Sequence, residues 1–187
     1  MRIIAGAAKG RRLKTSPGFQ TRPTADRVKE AVFNVLAVRL PGARVLDACA
    51  GSGALGLEAL SRGAASALLI EADRRAAAVV AENLAALNLP GGKLLRGDAL
   101  KLLQDLTPEQ HFDLIFFDPP YESGLLPRLL ELTARYRLLA ENGLVIAETR
   151  AVSREFAPGP EWAMVKESRY GDTAIHYLRW SDIQGGN

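Results

Sequence analysis

The sequence predicts an α/β fold: a doubly wound, mostly parallel sheet of seven strands. Three observations carry this. From residue 44 onward, short apolar runs alternate with helix-period segments, the chain order of right-handed βαβ crossovers. Several of those runs ("ALLIEA", "FDLIFF", "GLVIAET") lack in/out alternation, as strands covered on both faces do. Finally, Gly51-x-Gly53-x-x-Gly56 follows the first run directly and opens a helix, as at the ligand-binding turn of such Rossmann-like sheets.

The elements follow in order. "RIIAG", a Gly/Lys turn and "RRLKT" read as a hairpin, so residues 1–21 are expected to form a basic β-hairpin extension and residues 22–187 the main domain. Thr24 is the expected N-cap of the first helix, with Asp26 in the first turn at the positive end of the dipole. Val28, Ala31, Val32, Val35 and Leu36 recur at helical spacing as one apolar face, and Pro41 with Gly42 ends it. "RVLDA" is the first strand, followed by a helix from about Gly53 to Arg62. "ALLIEA" is the second strand, and Asp73 caps a helix whose inward face is Ala76, Val79, Val80, Leu84 and Leu87. "KLLRG" is the third strand and "DALKLLQDL" a short helix; "FDLIFF" is the fourth strand and "LLPRLLELTARY" a helix; "GLVIAET" is the fifth strand. "WAMVKESRYG" and "DTAIHYLRW" read as a terminal antiparallel hairpin, which completes seven strands.

A chain of 187 residues suits one domain with a small appendage. No apolar run approaches the length of a membrane span, and the apolar stretch at the start is too short for a signal peptide. Cys49 is the only cysteine, which excludes an internal disulfide; with two histidines in all, no metal site is expected. These features point to a cytoplasmic protein, and nothing in them requires a dimer, so a monomer is expected. Charge is uneven. Residues 1–30 hold eight basic and two acidic side chains, a net +6, which leaves −3 for the remainder of a chain whose total is +3. A basic end on a mildly acidic body fits a polyanion touched from one side.

The glycine loop brings backbone N–H groups close to a ligand at the positive end of a helix dipole. Glu71 ends the next strand, 20 residues after Gly51, the distance at which an acid reaches ribose hydroxyls. Asp47, Glu71, Asp98 and Asp118 all stand at the carboxyl ends of strands, where this architecture binds ligands. A dinucleotide would place its pyrophosphate beside Asp47. S-adenosylmethionine has no phosphate; it offers an ammonium, a sulfonium, ribose hydroxyls and an adenine amine, all of which favour acids or acceptors. The acidic crevice therefore favours S-adenosylmethionine.

"FDLIFFDPPY" passes from a buried strand to an acid, two prolines and a tyrosine. Neither proline donates to a sheet ladder, and together they fix the backbone after Asp118. The result is a stiff platform with one carboxylate, two free carbonyls and a ring. It resembles the catalytic motif of amino-methyltransferases. An exocyclic base amine is a poor nucleophile because its lone pair is delocalised into the ring. The Asp118 carboxylate and the Pro119 carbonyl would accept its two hydrogens, and Asp118 would help remove the proton. Tyr121 would stack on a base turned out of its helix.

"RIIAGAAKGRRL", "RPTADRVKEAVFNVL", "LDACAGSGALGLEALSRGA", "FFDPPY" and "YGDTAIHY" together, in order and over nearly the full length, resemble the bacterial 16S ribosomal RNA guanine methyltransferases of the small subunit. The resemblance implies a methyltransferase sheet, S-adenosylmethionine as cofactor, 16S rRNA or the small subunit as partner, and the N2 amine of guanine 966 as target. It implies that Asp47, Gly51, Ser52 and Gly53 hold the methionine part of the cofactor, with Arg22 and Thr24 closing over it. Glu71, beside Ala72, would take the ribose, and Asp98 with Ala99 the adenine. Asp118, Pro119, Pro120 and Tyr121 would hold the guanine, and Lys9, Arg11, Arg12 and Lys14 the rRNA phosphates. Cys49 departs from the family, which more often has phenylalanine there.

Three alternatives differ in kind. A DNA adenine amino-methyltransferase shares Asp-Pro-Pro-Tyr but normally carries a target-recognition insertion, and none here is long enough. A non-catalytic rRNA-binding assembly factor would not need an intact Asp118 and glycine loop. A nicotinamide-dependent oxidoreductase would be protected by NAD rather than by S-adenosylmethionine.

Overall fold

The computed structural model describes residues 1–15, 23–121, 123–151 and 156–182. The strands are β1 (Arg44–Asp47), β2 (Ser66–Glu71), β3 (Gly92–Arg96), β4 (Phe112–Phe117), β5 (Leu139–Arg150), β6 (Trp162–Tyr170) and β7 (Thr173–Trp180). The helices are α1 (Pro23–Val35), α2 (Ala54–Ser61), α3 (Arg74–Leu87), α4 (Ala99–Leu102) and α5 (Leu125–Arg135). The strands form a seven-stranded sheet in the order β3-β2-β1-β4-β5-β7-β6. The pairs β1–β2, β2–β3 and β4–β5 are parallel, and β7 runs antiparallel to both β5 and β6. The chain divides into two compact units, Met1–Ala99 and Leu100–Asn187. Among the described residues no helix is long and apolar enough to cross a membrane.

In the first unit, Val45, Leu46, Leu69 and Ile70 on β1 and β2 are fully buried, as their unbroken apolar runs require. Helix α2 lies tightly on β2: a Cβ on Gly56 would stand 3.0 Å from Leu69 carbons, so that position admits only glycine without a shift. Asp73 caps α3 as expected, accepting from the N–H groups of Arg75 and Ala76 at 2.9 and 2.8 Å. Helix α1 differs from expectation at its start. The backbone is already helical at Pro23 and Thr24, so Thr24 lies within the helix rather than at the cap.

The amino-terminal stretch also differs. It doubles back, with Ile3 N–H donating to the Arg11 carbonyl and Gly10 N–H to the Ile3 carbonyl, both at 2.9 Å. Yet it forms one isolated antiparallel bridge, Arg2–Arg12, and not the expected strand pair. The reason is competition for backbone groups. The N–H groups of Ile4 and Ala5 donate to the Glu58 carboxylate at 2.8 and 3.0 Å, Ala7 N–H to the Ser61 carbonyl at 2.7 Å, and Ala8 N–H to Ser61 Oγ at 2.9 Å. Helix α2 thus takes the donors that a hairpin ladder would use. Glu58 is fully buried and also meets Lys29 Nζ at 3.2 Å and Arg62 Nε at 2.8 Å. Burial holds the Lys29 ammonium below its usual range, with Glu58 pulling the other way.

In the second unit, β4 and β5 pair with Phe116 opposite Ile146. The β6–β7 hairpin is closed by Trp162 stacked on Trp180, with ring centroids 4.7 Å apart. The helix expected over "DALKLLQDL" is only one turn long. Gln104 N–H donates to the Lys101 carbonyl and Asp105 N–H to the Leu102 carbonyl, a tighter i→i−3 winding that still buries Leu103 and Leu106.

Candidate functional site

In the first unit, the end of β1, the glycine loop and the end of β2 converge. Asp47 closes β1 and is 1% exposed. Its Oδ2 accepts from Gly56 N–H at 2.9 Å, while its Oδ1 is buried with no hydrogen-bond partner among the described residues. Burial raises its carboxyl to about 7; the Gly56 N–H opposes that rise and the nearby Glu71 charge adds to it. A buried acceptor without a donor is costly unless something supplies one. It sits under a loop whose glycines face no side chain of their own: Gly51 and Gly53 adopt φ of 56° and 80°, conformations that favour glycine. The ammonium of a methionine moiety is a donor of the right charge for Asp47 Oδ1. The donor set therefore fits S-adenosylmethionine.

Glu71 joins the loop directly. Its Oε2 accepts from Gly51 N–H at 2.7 Å and its Oε1 from Asp73 N–H at 2.8 Å. Each oxygen keeps a further lone pair for a ribose hydroxyl. Ala72 is exposed beside it. Asp98 is exposed at the end of the β3 loop, immediately before Ala99 opens α4, and the preceding Gly97 N–H donates to the Glu71 carbonyl at 2.9 Å. The structure thus brings together Asp47, Gly51, Ser52, Gly53 and Glu71, with Asp98 and Ala99 on the neighbouring strand end. Thr24 lies on the first turn of α1, and Arg22 lies outside the described residues.

Asn83 escaped the sequence reading. It is buried on α3, where its side chain donates to the carbonyls of Lys14 and Ser52 at 3.0 Å each and accepts from Lys14 N–H at 2.9 Å. One carboxamide therefore ties the basic segment to the glycine loop. The signal was present: with Ala76, Val80 and Leu87, Asn83 continues a single helix stripe, a polar residue where an apolar one belongs.

The basic segment runs along the same helix. Lys14 Nζ meets Glu82 at 2.7 Å, and the Arg11 guanidinium donates to the Ala86 carbonyl. Lys9 and Arg12 are exposed. The Lys14–Glu82 pair is well solvated, so it holds its lysine only weakly.

In the second unit, β4 ends at Phe117 and the chain leaves the sheet through Asp118, Pro119 and Pro120. Asp118 and Pro120 are exposed and Pro119 is buried. Of the two proline carbonyls, that of Pro120 is engaged, accepting from Ser123 N–H at 2.9 Å in the following turn. Of the two carbonyls expected to be free, that of Pro120 is therefore occupied. The Tyr121 hydroxyl donates to Glu148 Oε1 at 2.5 Å and lies 3.3 Å from Thr173 Oγ1. Partial burial, and then the Glu148 contact, push the phenol up to about 12, so it stays protonated and remains a donor. Burial likewise raises the Glu148 carboxyl, against the pull of the Tyr121 hydroxyl. Among the described residues no cluster of three histidine, cysteine or acidic side chains is arranged to hold a metal ion.

Comparison with known proteins gives these two places a context. The family profile described as conserved hypothetical protein 95 matches residues 1–179. The chain is 40% identical over 188 residues to the ribosomal RNA small subunit methyltransferase D of Escherichia coli, covering 99% of this chain and 92% of that protein. It is 40% identical over 178 residues to the putative rRNA methyltransferase YlbH of Bacillus subtilis, covering 94% and 96%. Among solved structures, the putative methyltransferase yhhF of Escherichia coli superposes with a TM-score of 0.85 at 37% identity, covering 97% of this chain and 98% of that one. The chain belongs to the conserved hypothetical protein 95 family, and over nearly its full length it is similar to ribosomal RNA small subunit methyltransferase D.

Proposed function

We propose that this protein transfers the methyl group of S-adenosylmethionine to the exocyclic N2 amine of a guanine in small-subunit 16S ribosomal RNA, guanine 966 by resemblance. One observation supports it above the others. A chain aligned over 99% of its length with a small-subunit rRNA methyltransferase has a glycine loop beside a buried carboxylate oxygen that finds no partner among the described residues, and an Asp-Pro-Pro-Tyr strand end.

The bound cofactor supplies a methyl group on a positively charged sulfur, which leaves as a neutral thioether. The protein does the rest. Asp47 Oδ1 accepts from the methionine ammonium, and the Gly51, Ser52 and Gly53 backbone closes on the same moiety. Glu71 beside Ala72 takes the ribose hydroxyls, and Asp98 with Ala99 the adenine edge. Arg22 and Thr24 close from the amino-terminal side. On the target side, the Asp118 carboxylate and the Pro119 carbonyl accept the two amine hydrogens. This draws the lone pair out of conjugation and aims it at the methyl carbon. As the N–C bond forms and the S–C bond breaks, the excess proton passes from the amine to Asp118 and on to water. Pro119 and Pro120 hold this geometry in advance, and Tyr121 stacks on the base. Lys9, Arg11, Arg12 and Lys14 hold rRNA phosphates, with residues 1–21 acting as the rRNA-gripping extension.

The test is methyl transfer from labelled S-adenosylmethionine to unmodified small-subunit particles, naked 16S rRNA and duplex DNA, followed by nucleoside analysis. Label in N2-methylguanine, from RNA alone, is the expected result. Label on adenine in DNA would overturn the substrate, and no transfer despite cofactor binding would overturn the activity.

A further inference from the structure

We infer that Glu148 and Thr173 are positioning residues for the methyl-transfer reaction: they fix the Tyr121 ring in the orientation in which it receives the target base. This rests on the proposed role of Tyr121.

Sheet geometry brings three side chains together. Side chains two apart on a strand share a face, so Glu148 and Arg150 of β5 lie on the same side. Antiparallel pairing sets Thr173 of β7 directly opposite Arg150, and directly opposed residues also share a face. Three side chains thus form one small platform, and all three reach Tyr121. Its hydroxyl donates to Glu148 Oε1 at 2.5 Å and lies 3.3 Å from Thr173 Oγ1, while the Arg150 guanidinium stands 5.6 Å from the ring centroid. Tyr121 as a whole remains 42% exposed. An aromatic side chain anchored by its tip and still exposed is a pre-organised stacking surface.

The same platform accounts for the "YGDTAIHY" stretch, which the reaction chemistry leaves without a role. Gly171, at φ 59°, turns the chain between β6 and β7. The Asp172 carbonyl accepts from Ala151 N–H at 2.8 Å, which fixes that turn against the end of β5. Thr173 is then the first residue of β7 and is delivered to the Tyr121 hydroxyl. The turn sequence serves to place one hydroxyl.

A merely structural bond would cost stability and little else, so the test is kinetic. Steady-state methyl transfer to small-subunit particles is measured for Tyr121→Ala, Tyr121→Phe, Glu148→Ala, Glu148→Gln, Thr173→Val and the double variant Tyr121→Phe/Glu148→Ala. We expect Glu148→Ala to raise the KM for particles and lower kcat/KM by about tenfold, the loss of one charge-assisted hydrogen bond. The KM for S-adenosylmethionine should not change. Glu148→Gln should recover much of the loss, because its amide carbonyl still accepts from the phenol, and Thr173→Val should show a smaller defect. The double variant should be no worse than Tyr121→Phe alone, because both remove the same bond. Losses that multiply in the double variant, or wild-type kinetics for Glu148→Ala beside an impaired Tyr121→Ala, would overturn this inference and leave the proposed function standing. Wild-type kinetics for Tyr121→Ala would overturn the stacking role and the inference with it.

Discussion

The two compact units hold their candidate functional side chains by different means. In the first, backbone N–H groups do the holding: Gly56 on Asp47, Gly51 and Asp73 on Glu71. The same unit holds a buried carboxamide, Asn83, and a buried Glu58–Lys29 ion pair that Arg62 joins. In the second, Tyr121 is held by side chains 27 and 52 residues away along the chain, and Asp118 is exposed at the end of a proline-stiffened turn. The difference matches the tasks proposed for them. A cofactor that is the same molecule in every turnover suits a rigid cradle whose bonds are made by the fold itself. A target base that must be turned out of RNA suits a surface that is anchored at one point and open on its face.

That contrast can be tested by breaking each end, and the largest effect should come from the brace behind the cradle. Removing Glu58 leaves a buried Lys29 ammonium without its carboxylate and two backbone donors without an acceptor. Glu58→Ala should therefore lose about 3–5 kcal/mol of stability by urea unfolding, with the midpoint shifted and the slope unchanged. Within the cradle, Asp47→Asn keeps the shape and removes the charge. Calorimetry should show S-adenosylhomocysteine binding weakened by about tenfold to a hundredfold.

The pH dependence of the wild-type protein sharpens the same point. Asp47 titrates near 7 when the site is free, and only its ionised form suits an ammonium. Affinity should rise as pH rises through about 7, with a proton released on binding below that pH. Asp47→Asn should abolish both effects. The free protein should change in the opposite sense. Because the folded-state value is raised, the contribution of Asp47 to stability is present at low pH and is lost between about 4 and about 7.

Asn83→Ala should cost about 1–3 kcal/mol, the penalty for leaving part-buried carbonyls and an N–H without partners. Because Asn83 bonds both Lys14 and Ser52, the variant should also weaken cofactor binding, which a residue serving packing alone would not do. The smallest effect belongs to the exposed cations. Lys9→Ala/Arg12→Ala should leave cofactor affinity unchanged and reduce the salt dependence of rRNA binding by about two units of slope.

How much of this was legible in the sequence follows from the same division. Asp47, the glycine loop, Glu71 and the Asp73 cap act on neighbours in sequence or on the adjacent strand, so spacing alone located them. The seven strand runs from residue 44 onward fell where the structure places strands; for β1, β2, β4 and β5 the unbroken apolar signature of strands covered on both faces located them. The amino-terminal pairing was not legible, since its donors are taken by Glu58 and Ser61, some 50 residues away, and no local pattern reports that competition. The Pro120 carbonyl was read as available because the turn that engages it depends on Ser123, beyond the motif. Glu148 and Thr173 were hidden for the same reason: each looks like an ordinary strand residue until register puts them beside Tyr121.

The central claim is that Asp118 handles the target amine while the cofactor is held elsewhere, by the loop around Asp47. The most direct measurement compares Asp118→Ala with wild type in two assays: methyl transfer to unmodified small-subunit particles, and S-adenosylhomocysteine binding by calorimetry. Turnover should fall by at least about a hundredfold, from loss of both the acceptor and the base, with cofactor affinity unchanged within about twofold. Turnover near wild type, or a loss of cofactor binding that matches the loss of activity, would contradict the claim.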